Sequence, residues 1–237
     1  AIAVLMVIVF HAGMPWANGG FLGVTVFFVL SGYLITNLIL AEHRATGSLS
    51  LARFWGRRFR RLAPASLALA VVLLVIGGAI GITHRSLVDI RAAVAQVANW
   101  WFIHTGRSYA DITATPSIVD HFWSLAIEEQ FYVLWPFVVV GLLVWLRRSP
   151  KVLFWVCAGG AAASALSLIV RYVPGTDPSR LYYGTDTRIA AILLGAALGT
   201  AGHVWGPIQG TRGRVALAYA QTTRPLPSSG ESGHGHR

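Results

Sequence analysis

The sequence predicts an all-α fold, a polytopic bundle of transmembrane helices, from three observations. Hydrophobic residues make up 55% of the 237 residues and charged residues 12%, where a soluble domain carries about 25% charge. Several apolar runs reach the ~20 residues that a helix rising about 1.5 Å per residue needs to cross a hydrocarbon core. The positive charges gather between those runs, as in the cytoplasmic loops of membrane proteins. That clustering assigns the net charge of +10 to a basic membrane protein and gives no role to nucleic acid.

Six spans are expected, at about 1–15, 21–40, 64–83, 123–146, 152–173 and 187–204. The first is apolar and carries His11. A secretory signal competes for residues 1–20, but no basic region precedes the run and a full-length span follows at once. Around and within the second span, Gly19, Gly20, Gly23 and Gly32 allow close helix approach, and Ser31 reads as a helix-bonding hydroxyl. Residues 53–61, RFWGRRFRR, hold five arginines and run into Pro64, a residue suited to the first turn of the third span. Residues 92–105 are weakly apolar and contain Asn99, Trp100, Trp101 and His104, which suits an interfacial or re-entrant helix. The fourth span stops at Arg147 and Arg148. The fifth contains Cys157, a lone cysteine read as a small buried hydrophobe and offering no intrachain disulfide. With the basic loops 41–63 and 147–151 cytoplasmic, the spans alternate in direction and the interfacial segment lies on the outer side. Residues 1–204 then form a transmembrane domain. Residues 205–237, rich in Gly, Pro, Ser, Thr and Arg, form a polar, disordered cytoplasmic tail. His234 and His236 in that tail read as solvated, and no metal site is expected.

The segment from His121 to Pro136, HFWSLAIEEQFYVLWP, puts two adjacent carboxylates into an apolar, aromatic span. A carboxylate there is costly, so it stays neutral, finds a partner or lines a wet cavity. Residues three, four and seven apart share a helix face. From Glu128 that face takes in His121, Ser124, Tyr132 and Trp135, a polar and amphipathic stripe. Glu129 points about 100° away and is expected to meet another helix. Either Glu also reads as a plain interhelical hydrogen-bond partner. His11 has the same plain reading, although a His with a desolvated carboxylate is the minimum for general-base activation of a hydroxyl. Spacing alone does not join them. The arginines at 53–61 read as topogenic or as a phosphate site, and five in nine residues exceed what orientation needs. Asp186 and Arg188 read as a helix-start acid and a snorkelling arginine, or as the lining of an outer cavity.

Taken in order, VIVFHAG, GGFLGVTVFFVLSGYLIT, RRFRRLAP, HFWSLAIEEQFYVLWP and TDTRIAAILLGAALG resemble the acyltransferase-3 family of bacterial integral-membrane O-acyltransferases, over residues 1 to about 204. The resemblance implies a bundle of about ten helices, of which six to seven are present here. It implies transfer of an acyl group, acetyl above all, from acyl-CoA to a hydroxyl of a cell-surface glycan or lipid-linked sugar, lipopolysaccharide included. The setting would be the bacterial plasma membrane. Acyl-CoA would be a co-substrate, with no bound cofactor. By the same resemblance His11 is the base, Glu128 and Glu129 are the acidic positions, and Arg58 and Arg61 hold the CoA phosphates. Arg188 matches the family's later arginine, and with Ser124, Tyr132 and Asp186 it is expected to meet substrate. Family members carry a basic residue ahead of the histidine and further spans beyond the last motif. A chain shortened at both ends is therefore expected. A transporter using His11 and Glu128 as a proton relay, or an inactive fragment, remains the alternative.

Overall fold

The computed structural model describes residues 2–11, 22–80, 84–108 and 119–206, and the regular elements among them are helices. In chain order these are α1 (Ile2–His11), α2 (Leu22–Thr46), α3 (Leu51–Ile80), α4 (His84–Val94) and α5 (Ala98–His104). There follow α6 (Phe122–Val140), which runs on as a π turn over Gly141–Trp145, then α7 (Pro150–Arg171), α8 (Ser179–Tyr183) and α9 (Thr185–Val204). Among the described residues, four segments are long and apolar enough to cross a membrane: Leu22–Thr46, Phe122–Trp145, Pro150–Arg171 and Thr185–Val204.

Those four match the second, fourth, fifth and sixth expected spans. The first run is helical over Ile2–His11, and the rest of it lies outside the described residues. The third differs. It is α3, 30 residues long, whose first turns are the arginine cluster itself. The stretch 41–63 is therefore not a loop. It is the end of α2, a turn, and the start of α3. Gly47 closes α2 with φ 67 and an amide bond to the His43 carbonyl at 2.8 Å, the left-handed cap that glycine adopts without strain. Helix resumes at Leu51, where the amide of Arg53 finds the Ser50 hydroxyl at 3.3 Å. Pro64 consequently lies inside α3 rather than at its start. A proline there removes one backbone bond, which membrane helices accommodate by local adjustment.

The centre of the bundle is the pair α2 and α9. Gly32 faces the backbone of Ile192 and Ala196, while Gly195 faces that of Val29 and Tyr33. Gly199 comes against Asn37 and Tyr33 further along, so the two helices run in the same direction. Small residues let the backbones approach this closely, which is how helices gain packing where lipid gives no hydrophobic drive. Phe28 meets Trp123 and Thr36 meets Trp135, so α6 also runs parallel to α2. On the other side of α9, Ser164 accepts from the Ala190 amide at 3.1 Å and Phe154 meets Trp205, so α7 is antiparallel. The outward face of α7 exposes Trp155, Leu166, Ile169 and Val170, as a lipid-facing helix would.

The glycine contacts make a matched prediction. A Cβ on Gly32 would overlap the Ile192 carbonyl, lying 2.8 Å from its carbon and 3.0 Å from the Ala196 nitrogen. A Cβ on Gly159 in α7 would meet nothing within 4 Å. Gly32→Ala is expected to destabilise by about 1–3 kcal/mol, because the helices must separate. Gly159→Ala should instead stabilise by about 0.4–1 kcal/mol through the unfolded chain. Thermal unfolding of the two variants in detergent checks the opposite signs; equal midpoints would refute the close packing.

The expected single helix over 92–105 is split in two. The break at Gln96 has φ 58, and the Gln96 carbonyl accepts from the Gln130 amide of α6 at 3.1 Å. Gln130 also bonds Asn99 at 2.9 Å and Thr185 at 2.8 Å, which pins α5 against α6 and the start of α9. After α5, Arg107 pairs with Asp89 of α4 and with Asp120 just before α6. The short α8 is started by Asp177, whose carboxylate accepts from the Ser179 hydroxyl and amide and is held below the usual carboxylate range by those bonds. His234, His236 and all but residues 205–206 of the tail lie outside the described residues.

Candidate active site

Glu128 is 3% exposed in the middle of the bundle. Its Oε2 accepts from the hydroxyl of Tyr132, one helical turn on, at 3.3 Å. That hydroxyl is also hydrogen-bonded to Ser31 Oγ of α2. The second carboxylate oxygen, Oε1, is buried and has no hydrogen-bond partner among the described residues. An acceptor left open in this way normally costs free energy, so it marks a place where a donor is missing.

Arg58 enters from α3. Its guanidinium carbon lies 3.1 Å from the centroid of the Tyr132 ring, and Nη2 stands 3.4 Å from Glu129 Oε1. Trp55, one turn earlier, donates from Nε1 to the Tyr132 carbonyl at 3.2 Å and packs on Phe137 at 4.9 Å between ring centroids. These contacts draw the arginine-bearing start of α3 onto α6. The cation is thus held, half-buried, between an aromatic face and a carboxylate. One positive charge faces two carboxylates at Glu128 and Glu129. Trp135 fixes the next turn by donating to Thr36 at 2.9 Å and stacking on Phe131. Ser31, Arg58, Glu128, Glu129 and Tyr132 therefore form one cluster supplied by α2, α3 and α6.

The residues singled out from sequence divide. Glu128 and Tyr132 come together on one face, and Glu129 turns to a different helix, α3. Ser124 stays outside the cluster, since its hydroxyl bonds the His121 carbonyl of its own turn at 3.2 Å. Asp186 is held by Arg180 at 3.0 and 3.1 Å and by Arg171 at 3.5 Å, at the start of α9. Arg188 lies on Tyr182 and Trp123, apart from both groups. His11 ends α1 and Arg61 is in α3, but both side chains lie outside the described residues. Ser31, expected as a helix-bonding hydroxyl, bonds Tyr132 of α6 from beside Gly32, on the close-contact face of α2. Of the other arginines in the cluster, Arg57 pairs with the buried Glu42 at 3.0 Å. Arg53 and Arg60 are exposed and make no ion pair among the described residues. No group of His, Cys, Asp and Glu suited to a metal occurs among the described residues.

A buried carboxylate with one free oxygen, bonded to a phenol and flanked by a guanidinium, can take a proton from a hydroxyl placed against it. The adjacent cation and phenol can stabilise negative charge that forms there.

The sequence pattern of a family described as an acyltransferase domain matches residues 1–220. The chain is 43% identical over 232 residues to the peptidoglycan O-acetyltransferase OatA of Listeria monocytogenes serovar 1/2a, covering 94% of this chain and 36% of that protein. It is 45% identical over 201 residues to the putative peptidoglycan O-acetyltransferase YrhL of Bacillus subtilis strain 168, covering 84% and 31%. A putative O-acetyltransferase of Staphylococcus aureus strain COL is 41% identical over 217 residues, covering 88% and 34%. The chain thus spans about a third of the length of these relatives. No solved structure gives a significant match.

Proposed function

This chain belongs to the acyltransferase-3 family, and from that premise we propose that it carries the membrane part of an O-acyltransferase that acetylates a hydroxyl of a cell-envelope glycan. The observation that carries the reading is the Ser31–Tyr132–Glu128 hydrogen-bond chain beside Arg58, with Glu128 Oε1 left open. The relatives named for peptidoglycan favour a cell-wall glycan over lipopolysaccharide as acceptor. The setting is the bacterial plasma membrane, with the basic ends of α2, α3 and α7 on the cytoplasmic side.

Acyl-CoA is the donor in this reading. Arg58 and Arg61 are the residues that the family resemblance assigns to its phosphates. Because Arg58 is already engaged by Glu129, the exposed Arg53 and Arg60 add phosphate-binding capacity on the same helix. The chemistry is a direct acyl transfer. The acceptor oxygen attacks the thioester carbonyl, a C–O bond forms and the C–S bond breaks. The proton lost by the hydroxyl passes to the base formed by Glu128 and His11, and from there to the departing thiolate.

Membranes expressing the protein in its full-length background, given radiolabelled acetyl-CoA, should place label in a glycan or lipid-linked fraction. The label should depend on His11 and vanish in His11→Ala. Unchanged labelling in that variant would remove His11 from the mechanism, and no labelling in the parent would remove the reading.

A further inference from the structure

Where α6 and α9 begin, two neighbouring charged residues have opposite circumstances. Asp186 is saturated: Arg180 grips both oxygens, Arg171 stands at 3.5 Å, and Ser167 bonds it at 3.4 Å. Arg188, two residues on, makes no ion pair with any described carboxylate. Its guanidinium carbon lies 4.2 Å from the Tyr182 ring centroid and 5.8 Å from that of Trp123, which is 4% exposed. Its Nε is buried without a hydrogen-bond partner among the described residues.

A snorkelling arginine buries its aliphatic stem and extends its head to water. Here the guanidinium carbon lies over aromatic rings and Nε is buried without an acceptor among the described residues. The rings attract the cation through their faces but leave its planar N–H donors unfilled. A guanidinium with a buried N–H that no described acceptor fills matches the paired oxygens of a carboxylate or phosphate. Trp123 belongs to α6, which carries Glu128 five residues later, about 7.5 Å along the axis. An anion on Arg188 would therefore lie beside the carboxylate cluster and leave Glu128 free.

We propose that Arg188, framed by Tyr182 and Trp123, is the anion-recognition residue of the acceptor subsite, taking a carboxylate or phosphate group of an acidic glycan. This rests on the acyltransferase reading and sharpens it, since it makes the acceptor anionic.

The test reads binding with no acyl donor present, so it stands apart from whether transfer is detected. The purified full-length protein in nanodiscs is titrated with an N-acetylmuramic acid saccharide, with the methyl ester of that saccharide, and with a polyprenyl phosphate. A charge-assisted forked contact predicts at least about tenfold tighter binding of the acid than of the ester. Arg188→Gln should erase that difference, while Arg188→Lys should retain part of it. Should the polyprenyl phosphate alone bind in an Arg188-dependent way, the anion is the lipid phosphate and the site stands. Equal binding of acid and ester by the unaltered protein, with no Arg188-dependent binding of the lipid phosphate, overturns the proposal without any variant having to fold. A preference for the acid that survives in Arg188→Gln overturns it as well.

Discussion

Glu128→Gln should lower acyl transfer by about 10²- to 10⁴-fold, the range that a positioned general base contributes, with little change in thermal stability. The substitution is nearly isosteric. A glutamine oxygen can still accept from the Tyr132 hydroxyl, so the link from α6 to Ser31 of α2 survives. What is lost is basicity at the open oxygen. The loss should fall on kcat, because the proton moves in the transition state and not on binding. Glu129→Gln provides the contrast. Glu129 reaches the cluster through Arg58 at 3.4 Å, so its removal disturbs the placement of a cation and should cost less than the change at Glu128. Steady-state kinetics on membranes of the full-length protein, with both variants at matched expression, separates the two. Glu128→Gln with kcat within threefold of the parent would exclude Glu128 as the base. Equal losses at both positions would mean that the pair acts as one electrostatic unit.

The bundle was legible because its signals are local. Length and hydropathy mark α2, α6, α7 and α9, and the ends of all but α2, which runs on to Thr46, agree with the sequence to within two residues. The helix rule from Glu128 to Tyr132 needs nothing beyond spacing along one helix. What could not be read depends on contacts between helices distant in the chain. Arg58 and Glu129 are 71 residues apart, and Ser31 and Tyr132 are 101 apart. Positive charge beside a span suggests a surface, yet Trp55 docks α3 on α6 and carries Arg58 inward. The same limit applies to Asp186 and Arg188. Two residues apart, they look like one site, but Arg180 and Arg171 satisfy the first while the rings of Tyr182 and Trp123 receive the second. Pro64 misled for a different reason. Proline suits a helix start in water, whereas a helix in a membrane bundle can continue through it.

The largest expected loss of stability is at Arg107. Its guanidinium bridges Asp89 and Asp120, which are 3% and 2% exposed, and it lies 4.5 Å from the Phe102 ring centroid. Trp101 adds a bond from Nε1 to Asp89 at 2.8 Å. Arg107→Ala removes the cation from two buried carboxylates at once. Breaking a buried pair by deleting one member costs about 3–5 kcal/mol, because the other charge stays buried without compensation. Here two carboxylates lose the cation while Asp89 keeps its bond from Trp101, so a loss within that range is expected. Arg107→Lys keeps the charge but cannot fork between two carboxylates, and should fall between. The decisive comparison adds Asp89→Asn and Asp120→Asn to Arg107→Ala. If uncompensated charge causes the loss, the triple variant regains stability despite having fewer ion pairs. If the guanidinium acts mainly by packing on Phe102, the triple variant stays as unstable as Arg107→Ala. Thermal unfolding in detergent reads the difference. The outcome bears on the active site too, because the bridge holds α4 and α5 at the entry to α6, and α5 carries Asn99, which Gln130 bonds two residues beyond Glu128.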